Sequence, residues 1–98
     1  MEIKILEGEA FTIALVGRLD TVTSTELVSF YNGQEVKEGL VVMDMQELEY
    51  ISSAGLRALL YIKKDLVEKG KSFEIHNLNN ICKEVFKVTG FGNILTVK

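Results

Sequence analysis

Hydrophobic and polar side chains alternate at the start of the chain. Residues 2–5 place isoleucine at every second position between charged side chains, and this period of two is typical of a β-strand. Residues 11–16 are rich in residues that favour strands, and Gly17 ends this run. A turn at residues 7–9 would connect the two segments. The first part of the chain therefore predicts a β-hairpin.

The most continuous apolar run lies in the middle of the chain. Residues 40–45 are almost entirely apolar, and Gly39 and Gln46 bound them. A run of this kind predicts a central strand that is buried on both faces, as in a sheet covered by helices. Residues 46–52 would then form the connection from this strand to the following helix.

The first of three predicted helices follows a loop at residues 17–20. Thr23 with Glu26 three residues later has the spacing of a capping box, in which each residue caps a backbone N–H group of the other. This spacing predicts that Thr23 is the helix cap. The helix ends either at residues 32–33 or further along the chain, before Gly39.

Two further helices alternate with a strand. The second helix begins after Ser52 and stops at Gly70, a residue type that often ends helices. Residues 72–76 alternate as a strand, and residues 77–80 cap the third helix. Residues 94–97 form either a short last strand or an extended tail. The residues expected to face the core from these helices are Leu56, Leu59, Leu60, Leu66 and Val67, then Ile81, Val85 and Phe86, with Val88 as a further candidate.

The order of these elements is β-β-α-β-α-β-α, with or without a last strand. This order indicates an α/β fold, in which a mixed β-sheet of about four to five strands has helices packed against it. The 98 residues are enough to bury one hydrophobic core, so we expect a single domain over residues 1–98.

Composition and charge exclude several classes of function. The net charge of −3 and the lack of a basic stripe argue against direct binding of DNA or RNA. No apolar run approaches the roughly 20 residues needed to cross a bilayer, and the N-terminus does not resemble a signal peptide. We therefore expect a cytoplasmic protein without membrane insertion. One cysteine and one histidine supply neither an internal disulfide nor a zinc ligand set, so we expect no metal or cofactor.

The sequence lacks the groups that an enzyme would need around its most prominent serine. A nucleophile elbow has the pattern Gly-x-Ser-x-Gly, but Ile51 stands at the first glycine position before Ser53. The only histidine, His76, falls at the end of a predicted strand rather than beside that serine. No glycine-rich phosphate-binding motif is present, and Cys82 is interpreted as a small structural residue. We therefore expect no enzymatic activity.

The start of the second helix has an unusual composition. Residues 52–55 are four small residues, two of them with hydroxyl groups, at the point where a strand is followed by a helix. Either serine can be a simple helix cap. However, Gly55 takes the place of the acidic residue of a capping box. Because glycine costs about 1 kcal/mol relative to alanine inside a helix, we expect another group to approach closely there. Free N–H groups at a helix start would also suit a phosphoryl group.

Two motifs together resemble a known family. Residues 48–60, Leu-Glu-Tyr-Ile-Ser-Ser-Ala-Gly-Leu-Arg-Ala-Leu-Leu, closely resemble the signature of STAS domains, the bacterial anti-sigma factor antagonists. Residues 17–20, Gly-Arg-Leu-Asp, are similar to the family's Gly-x-Leu-Asp loop. Because the order of elements also matches, the resemblance covers essentially the whole chain and implies a STAS-like fold.

The resemblance implies a phosphorylation site at the start of the second helix. Family members often carry Asp-Ser-Ser-Gly-Leu, and a partner kinase phosphorylates the first serine. In an alignment on Gly55, that serine corresponds to Ser53, whereas Ser52 stands at the aspartate and Ala54 at the second serine. Ser52 is the alternative acceptor. The residues expected to bind the partner are Asp20, Ser52, Ser53, Ala54, Gly55 and Arg57.

The resemblance further implies a binding switch rather than an enzyme. Unmodified, the chain would bind an anti-sigma factor serine kinase and so release a sigma factor to regulate transcription. Phosphorylation of Ser53 would end this binding, and a phosphatase could reverse the modification. Arg57 would face either the phosphate or an acidic partner group, or else solvent. The alternative function is a STAS subunit that docks on the ATPase of a lipid-transporting ABC-type transporter, and a sensory part of a larger signalling assembly is a third.

Overall fold

The computed structural model describes residues 1–6 and 8–98, so the first position of the turn predicted at residues 7–9 lies outside the described residues. Five strands, three α-helices and one short 3₁₀ helix follow one another along the described ranges. They are β1 (Glu2–Leu6), β2 (Phe11–Leu19), α1 (Thr21–Asn32), β3 (Leu40–Ile51), α2 (Ser53–Glu68), β4 (Ser72–His76), α3 (Asn80–Thr89), the 3₁₀ helix (Phe91–Asn93) and β5 (Thr96–Val97).

The five strands form a sheet in the order β1-β2-β3-β4-β5. β1 runs antiparallel to β2, whereas each neighbouring pair from β2 to β5 is parallel. Parallel neighbours need long crossover connections, and the three helices provide them. The structure thus confirms the predicted α/β fold with its mixed sheet, and it shows that the last two residues before Lys98 form the short fifth strand.

The hydrophobic core lies on one face of the sheet. Alternate residues of β2, β3 and β4 point to this face because successive strand residues point in opposite directions. They pack with buried residues from all three helices in one cluster that includes Ile13, Leu15, Leu27, Met43, Leu59, Ile75 and Phe86. On the other face, Val42 is only 6% exposed. Burial on both faces, predicted for residues 40–45, therefore holds only at Val42, because the helices pack on one face and Leu40 and Asp44 on the other face are half-buried.

Two strands are longer than the sequence pattern predicted. The loop predicted at residues 17–20 is wrong for its first three positions, because β2 continues to Leu19. The connection predicted at residues 46–52 is also wrong for all but its last position, Ser52, because β3 continues to Ile51. Two register shifts interrupt the pairing of β2 with β3. Such bulges break the regular alternation by which a strand is recognised in sequence.

The cap of α1 is Asp20 rather than Thr23. Asp20 Oδ1 accepts hydrogen bonds from the backbone N–H groups of Val22 (3.0 Å) and Thr23 (2.9 Å). Thr23 Oγ1 in turn accepts a hydrogen bond of 2.8 Å from the Asp20 N–H group. A capping box is therefore present, but Thr23 occupies the position that had been predicted for Glu26. Of the two predicted ends of α1, the nearer one at Asn32 is confirmed.

The caps of α2 and α3 lie among the residues that the sequence offered for them, whereas the buried faces of these helices differ in part from the prediction. Ser52 caps α2, and Asn79 caps α3. The predicted core positions Val67, Ile81 and Val88 are wrong, since these side chains are 59%, 61% and 75% exposed. The core instead includes Ala58, Ile62 and Cys82, which the apolar pattern had not assigned to it. None of the helices in residues 1–6 and 8–98 combines the length and apolar character needed to cross a membrane.

Candidate functional site

The candidate site lies at the carboxyl ends of two adjacent parallel strands, β2 and β3. Leu19 and Ile51, the last residues of these strands, are paired in the sheet. One residue further, the Ser52 N–H group donates a hydrogen bond of 2.9 Å to the Leu19 carbonyl oxygen. This bond links the segments from which α1 and α2 start. The structure therefore places Asp20 and Ser52 at the same end of the sheet.

Ser52 and Ser53 have different structural roles. The Ser52 side-chain oxygen accepts a hydrogen bond of 3.2 Å from the Gly55 N–H group, and the Ser52 carbonyl accepts one of 3.0 Å from Leu56. Ser52 is therefore the N-cap of α2. Ser53 is the first residue of the helix, and it is exposed. The exposed hydroxyl of Ser53 thus stands at a helix end whose free N–H groups favour a negative charge.

Asp20 is held as a carboxylate by the cap of α1. Hydrogen bonds from the Thr23 backbone N–H group and the Thr23 hydroxyl lower the pKa of Asp20 below its ordinary value of 3.8. The Val22 N–H group and the positive charge of Arg18 lower this pKa further, whereas burial opposes them. Asp20 therefore carries its charge at neutral pH and has a fixed position. It adds a negative group to the same end of the sheet as Ser53.

Gly55 is buried, and the group that approaches it belongs to this protein. A Cβ atom at this position would lie 2.8 Å from Ile51 Cγ1 and 2.9 Å from both Leu19 Cγ and the Leu19 carbonyl oxygen. The close approach expected at Gly55 is therefore the packing of α2 on the ends of β2 and β3. Gly55 supports the site from beneath, and its direct contact with a partner stays a prediction.

A groove runs between α1 and α2 and includes two of the predicted site residues. Ala54 and Arg57 lie on its α2 side, and Arg57 is exposed. The groove encloses about 390 Å³, and the α1 residues Thr21, Ser24, Thr25, Val28 and Ser29 face Ala54, Arg57, Ala58 and Tyr61 of α2. Within the described chain, Arg57 makes no ion pair. It stands four residues after Ser53, so both side chains lie on one side of α2.

Sequence reasoning missed two residues at this end of the sheet. The Arg18 guanidinium carbon lies 4.6 Å from the centre of the Tyr50 ring. Arg18 and Tyr50 are paired across β2 and β3, one step before the strands end. Each stands two positions before a helix cap, Asp20 or Ser52. This equal spacing was the available signal that Arg18 and Tyr50 lie side by side. It could be used only with the knowledge that both strands continue past their apolar runs.

The histidine lies far from Ser53. His76 is paired with Asp44, seven positions before Ile51. A strand rises about 3.3 Å per residue, so roughly 20 Å separate this histidine from the end of β3. His76 Nε2 instead lies 2.9 Å from Glu74 Oε1. In residues 1–6 and 8–98, no group of three or more His, Cys, Asp or Glu side chains is placed to hold a metal ion.

Comparison with known proteins gives concordant matches. The STAS domain family model matches residues 1–98. The anti-sigma-B factor antagonist of Listeria monocytogenes is 26% identical to this chain over 99 residues, which cover 100% of this chain and 87% of that protein. The regulatory name of this relative agrees with the family that the two sequence motifs resemble.

Solved structures share the fold. A sulfate transporter family protein from Wolinella succinogenes has a TM-score of 0.80 at 14% identity, covering 96% of this chain and 80% of that one. The anti-sigma factor antagonist SpoIIAA in its unphosphorylated form has a TM-score of 0.70 at 17% identity, covering 99% of this chain and 86% of that one. The phosphorylated form of SpoIIAA from Bacillus has a TM-score of 0.68 at 17% identity, covering 99% and 89%.

Proposed function

Because the chain belongs to the STAS domain family, we propose that it is an anti-sigma factor antagonist that phosphorylation of Ser53 switches off. The unmodified protein binds an anti-sigma factor serine kinase in the cytoplasm and thereby frees a sigma factor for transcription. It performs no catalysis itself. The antagonist from Listeria monocytogenes, which aligns with the whole of this chain, supports the general role. A phosphatase acting on phospho-Ser53 would restore binding.

The exposed position of Ser53 is the observation that carries this proposal. Its neighbour Ser52 uses its side-chain oxygen to cap α2, whereas Ser53 presents its hydroxyl to solvent at the first helical position. A kinase needs such an accessible hydroxyl. SpoIIAA has the same fold, and its structure is known in a phosphorylated form. This is consistent with the proposed use of the site. Ser52 remains the alternative acceptor.

The physical effect of phosphorylation would be local. A phosphoryl group adds about −1.5 to −2 charges at neutral pH. At the start of α2 this charge is favourable for the helix, so the fold survives the modification. At the interface, the same charge would lie near the Asp20 carboxylate and against groups of the kinase that fit an uncharged hydroxyl. An unpaired charge buried between two proteins costs about 3–5 kcal/mol, which is enough to end binding.

Phosphate transfer provides the first test. The purified protein is incubated with ATP and each candidate anti-sigma factor kinase, and the peptide containing both serines is analysed by mass spectrometry. We expect one phosphate on the wild type and on Ser52→Ala, and none on Ser53→Ala. Ser52→Ala loses the cap of α2, which costs about 1 kcal/mol, so its circular dichroism is recorded in parallel. Phosphate that persists on Ser53→Ala would assign Ser52 as the acceptor instead.

Binding of the kinase provides the second test. We expect Ser53→Asp to weaken binding at least about 100-fold, because the added charge enters the interface unpaired. Ser72→Asp is the matched control, since Ser72 is also exposed but lies at the amino end of β4, paired with Leu40. It should bind like the wild type. Equal affinities of Ser53→Asp and the wild type, measured by calorimetry, would refute the proposed switch.

A second function rests on a specific difference from the family pattern. Ser52 stands where an acidic residue is common, and a transporter family protein shares the fold. The chain would then be a STAS subunit that docks on the ATPase of a lipid-transporting ABC-type transporter, with Ser53 unmodified. Affinity capture from the native cell separates the two functions, because a serine kinase and a transport ATPase are readily distinguished by mass spectrometry.

A further inference from the structure

Arg18 and Tyr50 form an ordered pair beside the proposed switch, here called the Arg18–Tyr50 platform. We propose that this platform is an anchor for an acidic side chain of the partner protein. The inference rests on the proposed function, since it assigns a specificity-determining contact to the same interface. It concerns two residues outside the predicted site set, and the first of them occupies the variable position of the Gly-x-Leu-Asp motif.

The local backbone is arranged to bring the two side chains together. The pairing of β2 with β3 shifts between Gly17 and Arg18, so that Gly17 pairs with Leu48 and Arg18 with Tyr50, and Glu49 is left out. Gly17 has a φ angle of +107°, which an L side chain rarely adopts. A bulge of this kind re-aims the next side chain, and here it stacks the Arg18 guanidinium over the Tyr50 ring at 4.6 Å.

The platform is also fixed to the start of α1. The Thr23 hydroxyl shares its proton between the Arg18 carbonyl oxygen at 2.7 Å and Asp20 Oδ1 at 3.1 Å, and Thr23 belongs to the capping box of Asp20. The backbone of Arg18 therefore has a defined position relative to the N-terminus of α1. Stacking on Tyr50 further restricts the long arginine side chain. An interface residue that is already ordered loses less conformational entropy when a partner binds.

The guanidinium group is accessible and forms no ion pair within the described chain, although its positive charge acts on the Asp20 carboxylate. Arg18 is exposed and forms no ion pair among residues 1–6 and 8–98, even though the exposed Glu49 precedes Tyr50. When the face of a guanidinium lies on an aromatic ring, the N–H donors at its edges stay available. Those donors match the two oxygens of a carboxylate. The chemistry therefore fits an aspartate or glutamate of the partner.

The direction of the platform distinguishes this partner contact from capture of the phosphate. Leu19 and Ile51, one position further along the paired strands, point into the core beneath α2. Successive strand residues point to opposite faces, so Arg18 and Tyr50 lie on the face without helices. Ser53 belongs to α2 on the helical face. The platform therefore extends the interface around the strand ends instead of neutralising a phosphate on Ser53.

Calorimetry with the full-length anti-sigma factor kinase tests this assignment. We expect Arg18→Ala to weaken binding about tenfold, a typical loss for a hydrogen-bonded arginine anchor at an interface. Arg18→Lys should restore only part of the affinity, because lysine keeps the charge without the planar group. Tyr50→Phe keeps the ring and should bind like the wild type, whereas Tyr50→Leu should lose affinity. The double variant of Arg18→Ala with Tyr50→Leu should be little weaker than Arg18→Ala, since both remove one contact.

Control measurements make the outcomes distinct. Lys64→Ala removes an exposed positive charge further along α2 and should leave affinity unchanged. Urea denaturation of each variant shows whether a loss of affinity follows from a loss of stability. If Arg18→Ala and Tyr50→Leu bind like the wild type while Ser53→Asp does not, the platform is overturned and the switch stands. If Lys64→Ala weakens binding as much as Arg18→Ala does, the contribution of Arg18 is one of general positive charge, which also overturns the platform.

Discussion

At the scale of single residues, Gly55 determines how closely α2 lies on the sheet. The position is helical, where alanine would normally be preferred by about 1 kcal/mol. Here the Leu19 carbonyl oxygen and the Ile51 side chain occupy the space that a Cβ atom would need. The requirement for glycine is therefore one of packing and not of backbone conformation.

We predict that Gly55→Ala destabilises the protein by about 1–3 kcal/mol, as overpacking of a well-filled core usually does. One obstacle is a backbone atom, so α2 has to move relative to the ends of β2 and β3. The free energy of unfolding, measured in urea, checks this. Gly39→Ala is the control because a Cβ atom there would meet nothing within 4 Å. A Gly55→Ala protein as stable as the wild type would show that the helix can shift without cost.

The two serines show what single-residue reasoning could and could not achieve. The sequence identified both as candidates for the cap and assigned the acceptor role to Ser53 only through the family resemblance. The cap at Ser52 depends on where β3 ends, and the bond from the Ser52 N–H group to the Leu19 carbonyl fixes that end. Leu19 is distant from Ser52 in the sequence, so the spacing of nearby residues could not predict this contact.

At the scale of elements, α1 and α2 are joined by side-chain contacts near the end of their shared groove. The Tyr31 hydroxyl donates a hydrogen bond of 2.6 Å to Asp65 Oδ2, and Lys69 Nζ lies 2.9 Å from the same oxygen. Burial, followed by the hydrogen bond to Asp65 and the negative charge of Asp65, raises the pKa of Tyr31 above its ordinary value of 10.0. The same hydrogen bond is the main cause of the lowered pKa of Asp65.

We predict that Tyr31→Phe lowers the free energy of unfolding by about 1–2 kcal/mol at neutral pH, because it removes a hydrogen bond to a charged group. A pKa that is raised on folding contributes stability below the pKa of the unfolded chain, and this contribution is lost as pH rises through the folded value. Wild-type stability should therefore fall more steeply than that of Tyr31→Phe above about pH 10. Urea denaturation at neutral and alkaline pH measures both effects.

Tyr61→Phe provides the matched control for this contact. Tyr61 also joins the two helices, through a hydrogen bond of 3.0 Å to Asn32 Oδ1, but it is 45% exposed. Its removal should change stability by less than about 0.5 kcal/mol. Equal losses for Tyr31→Phe and Tyr61→Phe would contradict the view that burial makes the Tyr31 contact the stronger one.

Elements with one regular pattern were predictable, and those shaped by distant contacts were not. The hairpin, the apolar centre of β3 and a cap of α3 within residues 77–80 follow from local alternation and capping chemistry. The extensions of β2 and β3 do not, because they run through polar residues and past two register shifts. The exposed apolar residues of α3, such as Ile81 and Val88, have helical spacing like a core face, but no element covers them in the described chain.

At the scale of the whole molecule, the core encloses the one thiol of the sequence. Cys82 has no exposed surface, and burial raises the pKa of its thiol. Its place in the core cluster, with Phe86 and Leu78, confirms its interpretation as a structural residue. Reaction of this thiol with a reagent in solution therefore requires the core to open.

We predict that Cys82 reacts with a disulfide reagent more than about 100-fold more slowly in the native protein than in urea, because a buried residue is reached only through a rare opening. The chain has no other cysteine, so the absorbance of the released thiolate reports on this site alone. Phosphorylation of Ser53 should leave the rate unchanged. Rapid native labelling would indicate that α3 separates from the sheet without global unfolding.

The hydrogen bond from the Ser52 N–H group to the Leu19 carbonyl limits how the site can respond to a modification. It fixes the residue before Ser53 to a neighbouring strand, and the cap of Gly55 by Ser52 fixes the residues after it. The backbone around Ser53 therefore has little conformational freedom that a modification of this residue could change. The proposed phosphorylation of Ser53 would therefore change the charge of this surface and not the backbone conformation, so only a protein in contact with the surface would detect it.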